Sequence, residues 1–336
     1  MKAIVWQGER RFSVENLPDP KAGPGEVVVR VEAAAVCTSD LHMSEFAAKP
    51  PLVLGHEVAG MISEIGPGVE SRRLGERVAL DPVMRCGACR CCRQGIGHLC
   101  LNFRHLGWGA VAGGWAEYVV IDAINAHPVA PSVNPTAACL AEPAAVCYES
   151  FQRAGLAPGD CVLILGDGPF GFLHAQIARA RGAGKIIVAG HHDRRLSRIA
   201  SQTQAITCNT HHRNLQEVLK AEGIADGVDI VIEATGAGAS PNVGLSALRP
   251  RGTLVIFSYI WKPEPMDMGL IHMRELNVLG ACRSLNAYAP CLDLLARGAL
   301  NLETLVDIKS PLAGCQQAMD ALAQCKGDVF KAVFLP

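Results

Sequence analysis

The segment Cys161-Val162-Leu163-Ile164-Leu165-Gly166-Asp167-Gly168-Pro169-Phe170-Gly171 restricts the fold more than any other part of the chain. An apolar run that ends in G-x-G-x-x-G, with the helical stretch Phe172 to Arg181 after it, predicts a strand, a tight turn and a helix. In that setting the first glycine permits the turn, the second lets a pyrophosphate approach the backbone, and the third packs helix on strand. Further strand-like runs at 185–189, 204–207, 228–233, 253–257 and 276–280 alternate with helical stretches. Together with 161–165 they complete the six parallel strands of a doubly wound Rossmann sheet, expected over 151–289.

At 336 residues the chain is too long for one ordinary core, so a second domain is expected. Residues 1–150 supply it as an irregular β-rich region: 26–32, 75–80 and 117–121 are strand-like, and Gly23-Pro24-Gly25 is a turn. Helical patterns from Tyr288 to Arg297 and from Pro311 to Cys325, then the run Val329 to Phe334, are expected to return to that first domain over 290–336. A formal net charge of −1 gives no purchase on nucleic acid or an acidic membrane surface, and neither is expected as a partner. The opening residues break to charge too early for a signal peptide, and no apolar run reaches spanning length, so a cytoplasmic location is expected. In such a chain the 14 cysteines are read as thiols rather than disulfides, and a tight cluster of them points to metal.

That cluster is Cys86, Cys89, Cys92 and Cys100, spaced C-x2-C-x2-C-x7-C, with Gly87, Gly95 and Gly97 letting the chain curl. Four thiolates in one short lobe can close around a tetrahedral structural zinc without help from elsewhere. Cys91 adjoins Cys92 and could take its place; Cys92 is the expected ligand. A second group of metal-ligating residue types, Cys37-Thr38-Ser39-Asp40-Leu41-His42 and Gly55-His56-Glu57, comes from separated loops, as catalytic ligands usually do.

The combination resembles the zinc-containing medium-chain dehydrogenase/reductases, nearest the polyol and threonine dehydrogenase branch. The resemblance spans essentially the whole chain: Gly55-His56-Glu57-Val58-Ala59-Gly60 running on to Gly66, Gly68 and Gly75-Glu76-Arg77-Val78; the four-cysteine lobe; Gly113-Gly114-Trp115-Ala116-Glu117-Tyr118; Ala141-Glu142-Pro143; and the glycine-rich turn. It implies a GroES-like catalytic domain beside the Rossmann domain, and two zinc ions per subunit. Cys37 and His56 then hold the catalytic zinc, and Glu57 or Glu142 gives the third ligand. Glu57 could instead orient His56. Cys139 and Cys147 are weaker competitors nearby. An open zinc polarises the substrate oxygen while hydride passes between a CH–OH carbon and a nicotinamide. Ser39 and His42 match the family's proton relay, against the alternatives of a turn-capping hydroxyl and a solvated loop imidazole.

At the end of the second strand, NAD-preferring members of the family carry an acidic residue that accepts from the adenosine ribose hydroxyls. The resemblance places Gly190 there, so that carboxylate is missing, and His191-His192-Asp193-Arg194-Arg195 follows with room and positive charge. NADP is therefore expected in preference to NAD, with Gly190, His191, Arg194 and Arg195 at the 2′-phosphate. Asp193 has two alternatives: capping the next helix, or binding the ribose after all. Asp167 inside the turn is unusual, since a carboxylate there would repel phosphate unless it points away. Gly166, Gly168, Pro169, Phe170 and Gly171 line the pyrophosphate, and Thr235, Gly236, Ser258 and Arg283 are further cofactor contacts. Phe46, Arg104, His105 and Trp108 lie on segments that rim the cleft in the resembling enzymes and are candidate substrate contacts, with an ordinary loop residue as the alternative for each; a homodimer or homotetramer acting on a small alcohol or polyol is expected. Two rivals share the fold: a zinc-free NADP-dependent carbonyl or enone reductase, and a non-catalytic NADP-binding protein.

Overall fold

The structure is a computed structural model that describes residues 1–42, 49–109, 111–324 and 329–336. It divides into two compact units, Met1–Pro143 with Leu285–Pro336, and Ala144–Ser284. The sequence-based boundaries at 150 and 289 fall inside two helices, Ala141–Ala154 and Tyr288–Ala296, because helical periodicity alone does not mark where one core gives way to the next.

In the first unit a seven-stranded sheet is organised around the strand Glu26–Ala35, which pairs antiparallel with Glu57–Ile65, Tyr118–Asp122 and Lys331–Phe334. Its valines and alanines are buried in a core shared with Trp6, Leu54, Ile62, Leu80, Trp115 and Phe334. The carboxy-terminal return is part of this core: the helix Cys315–Gln324 buries Cys315, Ala318 and Met319, and the strand Lys331–Phe334 is buried throughout. Cys325, the expected end of that helix, lies outside the described residues.

The second unit holds six parallel strands: β1 Cys161–Leu165, β2 Lys185–Gly190, β3 Ile206–Asn209, β4 Val228–Glu233, β5 Leu248–Ile256 and β6 Asn277–Gly280. Their order in the sheet is β3-β2-β1-β4-β5-β6, every neighbouring pair parallel, which is the doubly wound arrangement with its crossover point beside β1. The shift of β3 from the expected 204–207 has a local cause. Gln204 ends the preceding helix in the left-handed conformation with φ of 59°, so the strand cannot begin there. Among the described residues no helix is long and apolar enough to cross a membrane.

Candidate functional site

Cys37 follows directly on the central strand Glu26–Ala35 and Val36, and His56 and Glu57 stand at the start of its neighbour, Glu57–Ile65. Strand pairing sets Ala35 opposite Glu57, which brings the two loops to one point of the sheet. Trp115 fixes both. Its indole nitrogen donates to Ala35 O at 3.1 Å, and its ring lies where a Cβ on Gly55 would fall, 2.2 Å from Cδ1. With φ of +94° and no space for a side chain, position 55 accepts only glycine.

The result is a buried group in which one ligand atom each of Cys37, His56 and Glu57 lies within 4.8 Å of the others. Asp40, on the short turn Thr38–His42, accepts the Cys37 backbone N–H at 2.9 Å and sits 3.4 Å from His56 Nδ1. Burial works against a charged His56, but the attraction of Asp40 and Cys37 more than offsets it and raises the imidazole well above its ordinary value. Such surroundings suit a cation. Lys331, 2 % exposed, enters from the last strand and bonds one Glu57 oxygen and Val36 O. The other oxygen, Glu57 Oε2, is buried with no hydrogen-bond partner among the described residues. An orphaned carboxylate oxygen beside a thiol and an imidazole is the donor set a zinc ion takes with three protein ligands and one open position.

Glu142 is not in that group, although it shares its field. Desolvation pushes its carboxyl up to about 7, His56 and Lys331 pull against the rise, and Glu57 and Asp81 add to it. Cys139 is buried outside it as well, turned to Thr136 O, and Cys147 is a buried thiol of the second unit. Ser39 and His42 lie on the turn after Cys37, both half-buried. The His105 ring is 5.5 Å from that of His56 and 5.0 Å from that of Trp108, so two of the expected substrate contacts flank the group. Arg104 does not join them. It is committed to Asp122 at 2.6 Å. Phe46 lies outside the described residues.

The lobe brings Cys86, Cys89, Cys92 and Cys100 within 4.8 Å of one another, and Cys91 is not among them. Sulfur separations of 3.5 Å for Cys89–Cys92, 3.8 Å for Cys89–Cys100 and 3.5 Å for Cys86–Cys100 match the edge of a tetrahedron around zinc, roughly 3.8 Å for Zn–S bonds near 2.3 Å. Backbone N–H groups of Cys86 and Asn102 point at Cys100 Sγ, and that of Cys89 at Cys86 Sγ. N–H donors of Cys92 and Leu101 lower the Cys89 thiol to about 6. At Cys89 these dipoles favour thiolate, the form that binds metal, whereas burial and the neighbouring thiols push Cys92 up to about 12.

In the second unit the glycine-rich turn joins β1 to the helix Pro169–Ala180, whose first residue is proline. Gly166 has φ of +122°, and a Cβ there would meet Ala234 O at 2.7 Å; a Cβ on Gly171 would meet Gly166 O at 1.9 Å. At Gly168 nothing lies within 4 Å of that direction. Two glycines are thus demanded by packing, and the third faces open space at a helix N-terminus, a cradle suited to a pyrophosphate. Phe170 packs edge-on against Phe257. At the end of β4, Glu233, which is fully buried, accepts N–H groups of Thr235 and Gly236 and the hydroxyls of Thr235 and Ser240, holding the following loop at the carboxyl end of the sheet. Ser258 follows β5, its N–H on Glu233 O, and Arg283 has φ of 63°.

At the end of β2, Gly190 is followed by exposed His191 and Arg194 and half-buried Arg195. Asp193 does not cap the next helix, Asp193–Thr203: His192 holds the cap position, and Asp193 Oδ1 accepts from Asn209 Nδ2 at 2.6 Å. Asp167 reaches from the glycine-rich turn to this region, accepting the backbone N–H of His191. Asp40, Lys331 and Glu233 are the functional-site residues that sequence reasoning missed. Of the three, only Asp40 left a local signal, a carboxylate three residues after a candidate ligand, placed to accept that ligand's N–H.

Comparison with known proteins agrees with this geometry. Residues 23–131 match the family model of the alcohol dehydrogenase GroES-like domain, and residues 169–297 that of the zinc-binding dehydrogenases. The chain is 30% identical to a sorbitol dehydrogenase of Bacillus subtilis (strain 168), covering 100% of this chain and 97% of the relative. Among solved structures, an E. coli CFT073 protein named a short chain alcohol dehydrogenase, in complex with NADH, is 28% identical with a TM-score of 0.94 over 100% of this chain and 99% of that one. A putative zinc-binding dehydrogenase of Sinorhizobium meliloti 1021 bound to NADP is 29% identical with a TM-score of 0.92, over the same shares of the two chains. With both family models matched in sequence order and a full-length relative at this identity, the chain belongs to the zinc-binding alcohol dehydrogenase family, the medium-chain dehydrogenase/reductases.

Proposed function

We propose that this dehydrogenase transfers hydride between the CH–OH carbon of a small alcohol or polyol and a nicotinamide dinucleotide, with a catalytic zinc held by Cys37, His56 and Glu57. The observation that carries this reading is the buried Cys37–His56–Glu57 group with Glu57 Oε2 unpartnered. Bound there, a zinc ion supplies Lewis acidity to a substrate oxygen, and the dinucleotide supplies the hydride acceptor. The protein's own part is to hold and to move protons. Asp40 orients the Cys37 loop and faces His56, and Lys331 occupies one Glu57 oxygen so that the other is turned to the ligand group. Ser39 and His42 carry the alcohol proton outward along the turn that follows Cys37. Glu142 stays within electrostatic reach as the alternative carboxylate. Cys86, Cys89, Cys92 and Cys100 hold a second, structural zinc.

NADP ahead of NAD is part of the same proposal, supported by the absence of a side chain at Gly190 and by Arg194 and Arg195 after it. A cytoplasmic location belongs to the same proposal, supported by the free thiols in both units, which suit a reducing compartment. β6 is the edge of its sheet and exposes Val278, so pairing of two copies there would give the expected dimer or tetramer; a monomer in light scattering contradicts that part.

The test is reduced-nicotinamide formation by the zinc-loaded enzyme on polyols, secondary alcohols and L-threonine, with each dinucleotide. Turnover that disappears when the non-structural metal is stripped, and returns with zinc, is expected. Turnover that survives stripping favours the zinc-free reductase of the same fold. Binding of dinucleotide without turnover on any substrate favours the non-catalytic protein.

A further inference from the structure

The end of β2 has no carboxylate of its own, yet a carboxylate stands there. Asp167 Oδ2 accepts the backbone N–H groups of His191 and His192, each at 2.7 Å, and Oδ1 lies 3.1 Å from His192 Nδ1. A Cβ built on Gly190 would fall 2.4 Å from Asp167 Oδ2 and 2.5 Å from its Cγ. One volume therefore serves both positions. It can be filled from 167 or from 190, and not from both.

We propose that Asp167 is a cofactor-specificity residue: reaching across from the glycine-rich turn, its carboxylate replaces the acid missing at Gly190 and favours a ribose 2′-hydroxyl over a 2′-phosphate. The adenosine ribose of a dinucleotide on a doubly wound sheet lies between that turn and the end of the second strand. A carboxylate is acceptor-only, which suits a hydroxyl donor. A phosphate monoester carries about −1.5 to −2 charges and is repelled by it. The N–H groups of His191 and His192, which could otherwise hold phosphate oxygens, are already given to Oδ2. Asp193 does not compete for the role, being bonded to Asn209. Asp167 thus works against Arg194 and Arg195, and limits whatever preference for NADP they and Gly190 create.

This inference rests on the dinucleotide reading of the turn. Its test uses ligands that cannot transfer hydride, ADP-ribose and 2′-phospho-ADP-ribose, titrated by calorimetry into the wild-type protein, Asp167→Asn and Asp167→Ala. The ratio of the two affinities is expected to move toward the 2′-phosphate by about 10-fold or more, the scale of removing one like charge at close range. An unchanged ratio, or an equal loss of both ligands, makes Asp167 a prop of the loop and overturns the proposal. Failure of the wild-type protein to bind either ligand overturns the dinucleotide reading itself, and the proposal with it. A second measurement is independent of binding. Gly190→Asp alone should lower the thermal midpoint, because its Cβ meets Asp167, and Asp167→Gly added to it should restore the midpoint together with a preference for ADP-ribose. Additive effects of the two substitutions on the midpoint would contradict the shared volume.

Discussion

Lys331→Met is expected to cost about 3–5 kcal/mol of folding stability, read as a lowered urea midpoint of the metal-free protein. Lys331 is 2 % exposed and Glu57 is fully buried, and the ammonium bonds Glu57 and, at 3.2 Å, Val36 O. Burial works against the lysine's charge, and the attraction of Glu57 more than offsets it, so the ammonium form is favoured. Methionine fills much of the same volume but takes away the ammonium bonded to the buried Glu57, and removing one partner of a buried pair is what makes it expensive. Two controls separate this from lost packing. Lys331→Met with Glu57→Gln removes both charges and should recover a large part of the loss, and zinc at the Cys37 group should narrow the gap by acting as the remaining counter-charge. A single variant as stable as wild type would show that the pair carries no such energy.

Cys89→Ser is expected to release one zinc per chain and to open residues 86–100 to proteolysis. The lobe has little else to hold it. Its helix, Arg90–Arg93, is a single turn with no buried residue, and the short 3-10 turn Gly97–Leu99 after it buries only Gly97 and His98. A segment with so little core depends on its ligands for shape, as small metal-bound lobes do. Equal zinc content in wild type and variant, by metal analysis, would remove the structural site from the account.

The parallel sheet was legible because its strands are buried on both faces and read as unbroken apolar runs: Val162 to Leu165, Ile186 to Ala189 and Ile230 to Ile232 are buried without a gap. The glycine-rich turn was legible because its demands are local. Gly166 and Gly171 meet each other's neighbourhood within six residues of chain. What sequence could not supply was pairing at long range. Lys331 reads as an ordinary alternating residue of a terminal strand, and only the antiparallel pairing of Lys331–Phe334 with Glu26–Ala35 brings it to Glu57. The same limit hid Asp167. Gly190 taken alone announces a missing acid, and Asp167 taken alone announces a misplaced one, but the two are one feature once β2 lies beside β1. Arg104, a candidate substrate contact with an ordinary loop residue as the alternative, is paired with Asp122 of a nearby strand, a long-range partner that its own segment does not announce.

Zinc content and hydride transfer in Cys37→Ser test the central claim most directly, because Cys37 is the one thiol of the Cys37–His56–Glu57 group and its loss leaves the four-cysteine lobe intact. The account predicts a folded protein that keeps one zinc per chain, loses the second, and no longer reduces nicotinamide on any alcohol the wild type accepts. Full turnover and full zinc content in the variant would contradict it, taking Cys37 out of both the metal site and the mechanism.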